Sequence, residues 1–136
     1  NLAFSHYGAI RGLHMQLPPY AQAKLVYCVQ GRILDVAVDV RKNSPTFGQS
    51  FAVELTEENR WQLFVPKGFL HGYSVLSETA LVGYKCDDFY NKESECGIHP
   101  LDKTVNIDWR IPAEQQLISE KDLNAISFLE LPEIIL

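Results

Sequence analysis

The sequence predicts an all-β domain, a sandwich or small barrel of jelly-roll type, on three observations. Apolar and polar residues alternate over many short segments, which is the period of a half-buried strand. Turn signals such as Gln30-Gly31, Thr56–Asn59 and Pro66-Lys67-Gly68 separate those segments at close spacing. Helix signals are scarce. A jelly roll suits this pattern because it can hold a small ligand between its two sheets.

The elements follow in chain order. Lys24–Val29 is a strand rich in apolar and β-branched residues, ended by Gln30-Gly31. In Ile33–Val40, Leu34, Val36, Val38 and Val40 share one face, and Asp35 and Asp39 lie on the other. Phe51, Val53 and Leu55 alternate with polar partners. Trp61, Leu63 and Val65 form the next stripe, halted by Pro66. Tyr73–Leu76 and Thr79–Cys86 read as a hairpin around Ser77-Glu78, and Val105–Trp109 as a late short strand. Ser119-Glu120-Lys121-Asp122 has the pattern of a helix N-cap followed by an acidic first turn. The apolar tail Phe128–Leu136 is expected to pack on the body or on a second subunit. No repeat, linker or low-complexity segment interrupts the 136 residues, so a single domain over 1–136 is expected.

Composition narrows the function classes. Hydrophobic residues make up 46% and charged residues 21%, as in an ordinary globular protein. The net charge of −5 argues against nucleic acid as the main partner. No run approaches the roughly 18 apolar residues of a membrane span, and no signal peptide is visible. Cys28, Cys86 and Cys96 are odd in number and form no C-x-x-C pair, which suits reduced thiols in a cytoplasmic protein. The chain opens on Asn1 rather than Met, as a processed chain or a fragment would.

Candidate chemistry gathers around Arg11-Gly12-Leu13-His14, with Lys24 opening the next strand and His71 just after a tight turn. Arg, His and Lys converging on one cavity suit an anionic substrate that bears a carbonyl. Arginine grips phosphate, histidine takes a proton, and lysine stabilises the resulting oxyanion. Imidazole ordinarily titrates near ~6.5, which suits proton abstraction at neutral pH. His14 is either such a base or a half-buried histidine bonded to backbone. Lys24 either faces an apolar interior, where a lysine is costly without a task, or snorkels outward. Tyr84 is either core with a satisfied hydroxyl or an acid donating into the cavity. Tyr90 either stacks on a ring or is an ordinary loop aromatic. Asp122 and Lys121 either orient the base and reach a phosphate or mark a solvated helix start. The P-x-G-x-x-H spacing at 66–71 resembles the second cupin motif, whose histidine often binds metal. The H-x-H that such a site needs is missing, since the corresponding region reads His14-Met15-Gln16. Neither His6 nor His99 has ligand spacing to His71, so no bound metal is expected.

Several blocks together carry a more specific resemblance: RGLHMQ at 11–16, KLVYCVQG at 24–31, LDVAVDVRKNSPTFG at 34–48, PKGFLHGY at 66–73, YKCDDFYNKESECGI at 84–98, IDW at 107–109 and SEKD at 119–122. In this order and spacing they resemble the dTDP-4-dehydrorhamnose 3,5-epimerase family over roughly residues 1–125. The resemblance implies a cupin-like jelly roll, a homodimer, and epimerisation beside a C4 keto group without metal or cofactor. It implies that His14 is the base, Tyr84 the acid on the opposite face of the sugar, and Asp122 the carboxylate paired with the base. Arg11, Lys24, His71, Glu95 and Lys121 then match substrate-binding positions, with Lys24 also stabilising the enolate. Tyr90 matches the aromatic that stacks on the nucleotide base, and Asn1 the end of a further substrate-contacting segment. A segment that the family usually carries ahead of Asn1 is not in this sequence, and the dimer and part of the nucleotide site are expected to depend on it. The tail after Asn124 matches the family poorly. Two other readings are a metal-dependent cupin oxygenase or isomerase and a non-catalytic sugar-nucleotide binding module.

Overall fold

Both faces of one sheet are buried, and this decides where the site lies. The computed structural model describes residues 1–136. Its strands are β1 (Leu2–His6), β2 (Ala9–Gln16), β3 (Lys24–Gln30), β4 (Arg32–Asp39), β5 (Ser50–Thr56), β6 (Gln62–Val65), β7 (Phe69–Val75), β8 (Thr79–Cys86), β9 (Glu95–Gly97) and β10 (Leu117–Ile118). One sheet has the order β1-β8-β3-β6. The other has the order β10-β2-β7-β4-β5, with β9 also paired to β2. A short helix, α1 (Glu120–Leu123), follows β10, capped by Ser119, whose hydroxyl accepts from the Asp122 amide at 3.2 Å.

The inner faces of the two sheets meet around Val26, Cys28, Ile33, Leu55, Val65, Val75, Ala80 and Val82. A second core lies on the outer face of the larger sheet. There Leu34, Val36, Val38 and Val40 pack with Val105, Trp109, Phe128 and Ile134 of the C-terminal segment. The stripe predicted for Ile33–Val40 therefore faces this C-terminal wrap. Asp35 and Asp39 do share the opposite face, but that face looks into the sandwich and both residues are buried. Asp39 is satisfied there by Arg41, which donates from Nε to Oδ1 at 3.0 Å and from Nη2 to Oδ2 at 2.9 Å.

Two expectations are corrected. Tyr73–Leu76 and Thr79–Cys86 do not form a hairpin: β7 pairs with β2 and β4, whereas β8 pairs with β1 and β3. The chain crosses between sheets at Ser77-Glu78, since the inner residues of both strands bury best when they face each other. Val105–Trp109 is not a strand. Asp102 caps the turn that leads into it, its Oδ1 accepting from Thr104 N at 2.8 Å, and Asn106 takes a positive φ of 49°. Val105 and Trp109 are buried nonetheless, and the Trp109 indole donates to the Pro100 carbonyl at 2.8 Å. The stripes on β5 and β6 are buried only where the strands lie over the core: Leu55 and Val65 are inside, while Phe51 and Trp61 are exposed. In the tail, Phe128 and Ile134 are buried, and Leu129, Ile135 and Leu136 are exposed.

The β2–β7 pairing is antiparallel, with Arg11 opposite Tyr73 and His14 opposite His71, and its register shifts between Arg11 and His14. At that shift the two backbones close on each other through Gly12 and Gly72. A Cβ on Gly72 would lie 2.6 Å from the Arg11 carbonyl oxygen and 3.2 Å from Gly12 Cα. Gly72→Ala should therefore push β2 from β7 and cost about 1–3 kcal/mol of stability. Chemical denaturation checks this, and an unchanged midpoint would contradict so close an approach.

Candidate functional site

Polar side chains from both sheets converge at one end of the sandwich. A chamber of ≈ 240 Å³ is lined by Arg11 and His14 of β2, Lys24 of β3, His71 and Tyr73 of β7, and Tyr84 of β8. A wider chamber of ≈ 480 Å³ shares His14, Lys24 and Tyr84 and extends to Asn1, Cys86, Phe89, Tyr90 and Glu95. His14 belongs to the larger sheet and Tyr84 to the smaller, so a ring held between them is flanked on both faces.

The register shift in β2 aims His14 into this space. Its Nε2 is 2.6 Å from Asp122 Oδ1, and Asp122 Oδ2 accepts from the Gly12 amide at 3.2 Å. With Nε2 engaged, Nδ1 is the ring nitrogen left to exchange a proton. The Asp122 side chain is only 6% exposed. Burial alone would raise its pKa, but the hydrogen bond and charge of His14, with the Gly12 amide, hold it below the usual carboxylate range. His14 is thus bonded to a carboxylate rather than to backbone, and Asp122 is the one buried residue of an otherwise exposed α1.

Lys24 turns inward. Burial pushes its pKa down, while the nearby Cys86, Asp35 and Glu95 act in the opposite direction. His71 is buried, and its Nε2 is 2.7 Å from Asp35 Oδ1. Tyr84 is half-buried and lines both chambers. The Arg11 guanidinium is held by a long contact of 3.4 Å from Nη2 to the Phe4 carbonyl. At the outer rim the Tyr90 hydroxyl donates to Glu95 Oε2 at 2.8 Å. That bond raises the Tyr90 pKa. Burial opposes, but Lys121 and Tyr90 outweigh it, and the Glu95 carboxyl is held low. Asn1 borders the wider chamber, and its carbonyl accepts from the Tyr84 amide at 3.0 Å.

The predicted residues thus fall into three groups. Arg11, His14, Lys24, His71 and Tyr84 meet in the inner chamber, and Asn1, Tyr90 and Glu95 border the outer one. Asp122 stands behind His14. Lys121 lies outside both chambers, ion-paired to Glu95. No three His, Cys, Asp or Glu side chains come together in a group able to hold a metal ion. Asp35 and Tyr73 were missed. The signal for Asp35 is the run Ile33-Leu34-Asp35-Val36-Ala37-Val38, apolar at both parities, which marks a strand buried on both faces and hence an acid facing inward.

Comparison with known proteins adds an independent finding. The family model described as dTDP-4-dehydrorhamnose 3,5-epimerase matches residues 1–130. A curated protein of that description from Shigella flexneri is 52% identical over 90% of this chain, which spans 67% of that relative. The crystal structure of an epimerase so described from Elizabethkingia anophelis NUHP1 superposes with a TM-score of 0.94 at 54% identity, over 96% of this chain and 71% of the other. A dTDP-6-deoxy-D-glucose-3,5-epimerase from Legionella pneumophila Philadelphia 1, solved in complex with dTDP-4-keto-L-rhamnose, gives a TM-score of 0.92 at 46% identity, over 97% of this chain and 69% of the other.

The Asp122 contacts set a pH dependence. A carboxyl whose folded pKa is depressed adds stability that is full above its unfolded value of about 3.9 and is lost as pH falls through the lower folded value. Unfolding free energy should therefore decline on acidification below about pH 4, and less steeply in Asp122→Asn. Denaturation series at stepped pH check this, and parallel slopes would rule out the Asp122 contribution.

Proposed function

The chain belongs to the dTDP-4-dehydrorhamnose 3,5-epimerase family, and from that premise we propose that it inverts carbon next to the keto group of a dTDP-linked 4-keto-6-deoxyhexose by two-faced proton transfer. The observation that carries this reading is that His14 and Tyr84 enter one chamber from opposite sheets. Inversion requires a proton to leave one face of the ring and another to arrive on the opposite face, so base and acid must flank it.

His14, oriented by Asp122, removes the proton from the carbon beside the ketone. The electron pair of the broken C–H bond moves into the ring and onto the keto oxygen. A carbon acid of this kind yields to an imidazole only if the enolate is stabilised, and Lys24 and His71 supply that stabilisation. Tyr84 then gives its phenolic proton to the same carbon from the other face. The proton now on His14 and the one missing from Tyr84 re-equilibrate with water before the next turnover. Arg11 grips the diphosphate, a task for which its forked guanidinium is suited. Lys121, held at the rim by Glu95, reaches the diphosphate as a second cation, Asn1 contributes a substrate contact, and Tyr90 stacks on the thymine ring.

The same reading covers the assembly. The outer face of the smaller sheet exposes Leu2, Phe4, Val29 and Phe64. An apolar sheet face of this kind supports back-to-back pairing of two copies as a homodimer. No helix is long and apolar enough to cross a membrane. The protein is read as a single domain over 1–136 acting in the cytoplasm on a nucleotide sugar, with no cofactor.

Incubation with dTDP-4-keto-6-deoxyglucose in D₂O tests the chemistry. Deuterium should enter at C3, C5 or both, and no uptake with any nucleotide 4-ketosugar would defeat the reading. His14→Ala should slow exchange by about 10²–10⁴-fold. Tyr84→Phe should still lose substrate protons but fail to complete inversion.

A further inference from the structure

The steps above leave Asp35 without a part, and unlike Asp39, which Arg41 satisfies, it is a buried carboxylate only half bonded. Asp35 has no exposed surface. Its Oδ1 accepts from His71 Nε2 at 2.7 Å, and its Oδ2 is buried with no hydrogen-bond partner. A half-satisfied buried carboxylate is costly and calls for a compensating charge. The register explains its position. Asp35 lies opposite Tyr73 and two residues before Ala37, which lies opposite His71, so its side chain points into the sandwich beside the inner chamber. The one ammonium lining that chamber is Lys24, which feels the Asp35 charge. Lys24 also faces Cys86 and Tyr84 from β8, Glu95 from β9, and Arg11 and His14 from β2. Asp35 is the carboxylate among these that is sealed from water, where its field is least screened.

We propose that Asp35 is a positioning residue of the reaction, pinning His71 through Nε2 and supplying the counter-charge for Lys24, so that both stabilisers of the enolate oxygen stay aligned and able to donate. The proposal rests on the epimerase reading. It makes the site a pair of imidazole–carboxylate units on adjacent strands, since His14 and His71 are register partners. Asp122 supports the ring that takes the proton, and Asp35 supports the ring and the amine that hold the resulting negative charge. With Nε2 bonded to Asp35, Nδ1 is the His71 nitrogen left for substrate. For Nδ1 to donate to the enolate oxygen, the ring must carry a proton on both nitrogens, and the Asp35 carboxylate at Nε2 then pairs with the positive charge that the ring bears.

Asp35→Asn in the full chain tests this, because the amide keeps the shape and the acceptor while removing the charge. In a variant that keeps the wild-type circular dichroism, kcat should fall by about 10²-fold, as when an oxyanion donor is weakened, with KM for the nucleotide sugar little changed. The titration of Lys24, followed by NMR of ¹³C-labelled lysine, should move to lower pH. A folded Asp35→Asn with wild-type kcat, or an unmoved Lys24 titration, would overturn the proposal. Histidine side-chain ¹⁵N spectra of the wild type give a further readout independent of any variant that fails to fold. His71 should carry an exchange-protected proton on Nε2, and a bare Nε2 overturns the proposal. If the wild type takes up no deuterium from D₂O, the epimerase reading fails by itself, and the Lys24 titration still decides whether Asp35 governs the lysine.

Discussion

The carboxylate of Asp122 is the contact on which the site depends. It joins a helix start near the end of the chain to a strand near its beginning, across 108 residues of sequence. One oxygen takes the His14 ring and the other the Gly12 amide at the register shift of β2. Asp122 reaches that place only because the C-terminal segment is laid over the outer face of the larger sheet. Val105, Trp109, Phe128 and Ile134 hold it there by burial against Leu34, Val36 and Val38. Packing on the outer side of the sheet thus orients a histidine that lines the inner chamber. Loosening the wrap would free an imidazole that is otherwise confined to one geometry, and confinement of that kind is what preorganisation supplies.

The inner face works by the opposite rule. At one end of the sandwich the apolar core gives way to Asp35, Lys24, His71, Tyr73 and Tyr84, all partly or wholly withdrawn from water. Each charged group placed there is penalised for desolvation, and the arrangement persists because opposite charges and hydrogen bonds offset that penalty. The same withdrawal strengthens every electrostatic interaction in the chamber. Lys24 shows both effects at once: burial lowers its pKa, and the neighbouring Cys86, Asp35 and Glu95 hold it up. The exposed rim is built differently: Tyr90, Glu95 and Lys121 form a surface-facing chain of contacts suited to binding rather than to proton transfer.

Much of this was legible beforehand, for identifiable reasons. Strands β3, β6 and β8 announce themselves because side-chain period and burial largely coincide in them, and β4 does so by its apolar and β-branched content. Ser119 and the acids after it mark α1 because capping is a local interaction. The pairing of β7 and β8 was misread as a hairpin, since two strands joined by a short turn look the same whether they pair or pass to opposite sheets. Val105–Trp109 was misread as a strand because its buried residues alternate, although the turn capped by Asp102 and the positive φ of Asn106 take the backbone elsewhere. Alternation places Asp35 opposite the Leu34 stripe without saying what covers either face, so its burial is not legible from alternation alone.

By itself the sequence determined the residue types, the alternation that makes an all-β fold, and the ordered blocks that carry the resemblance to one family, because these depend on neighbours along the chain. Only the tertiary structure decided that His14 and Tyr84 flank one chamber from opposite sheets, that His14 and His71 each rest on a different buried aspartate, and that Lys121 stands outside with Glu95. Those relations join residues far apart in sequence, and they exist only once the two sheets and the C-terminal wrap have buried their surfaces against one another.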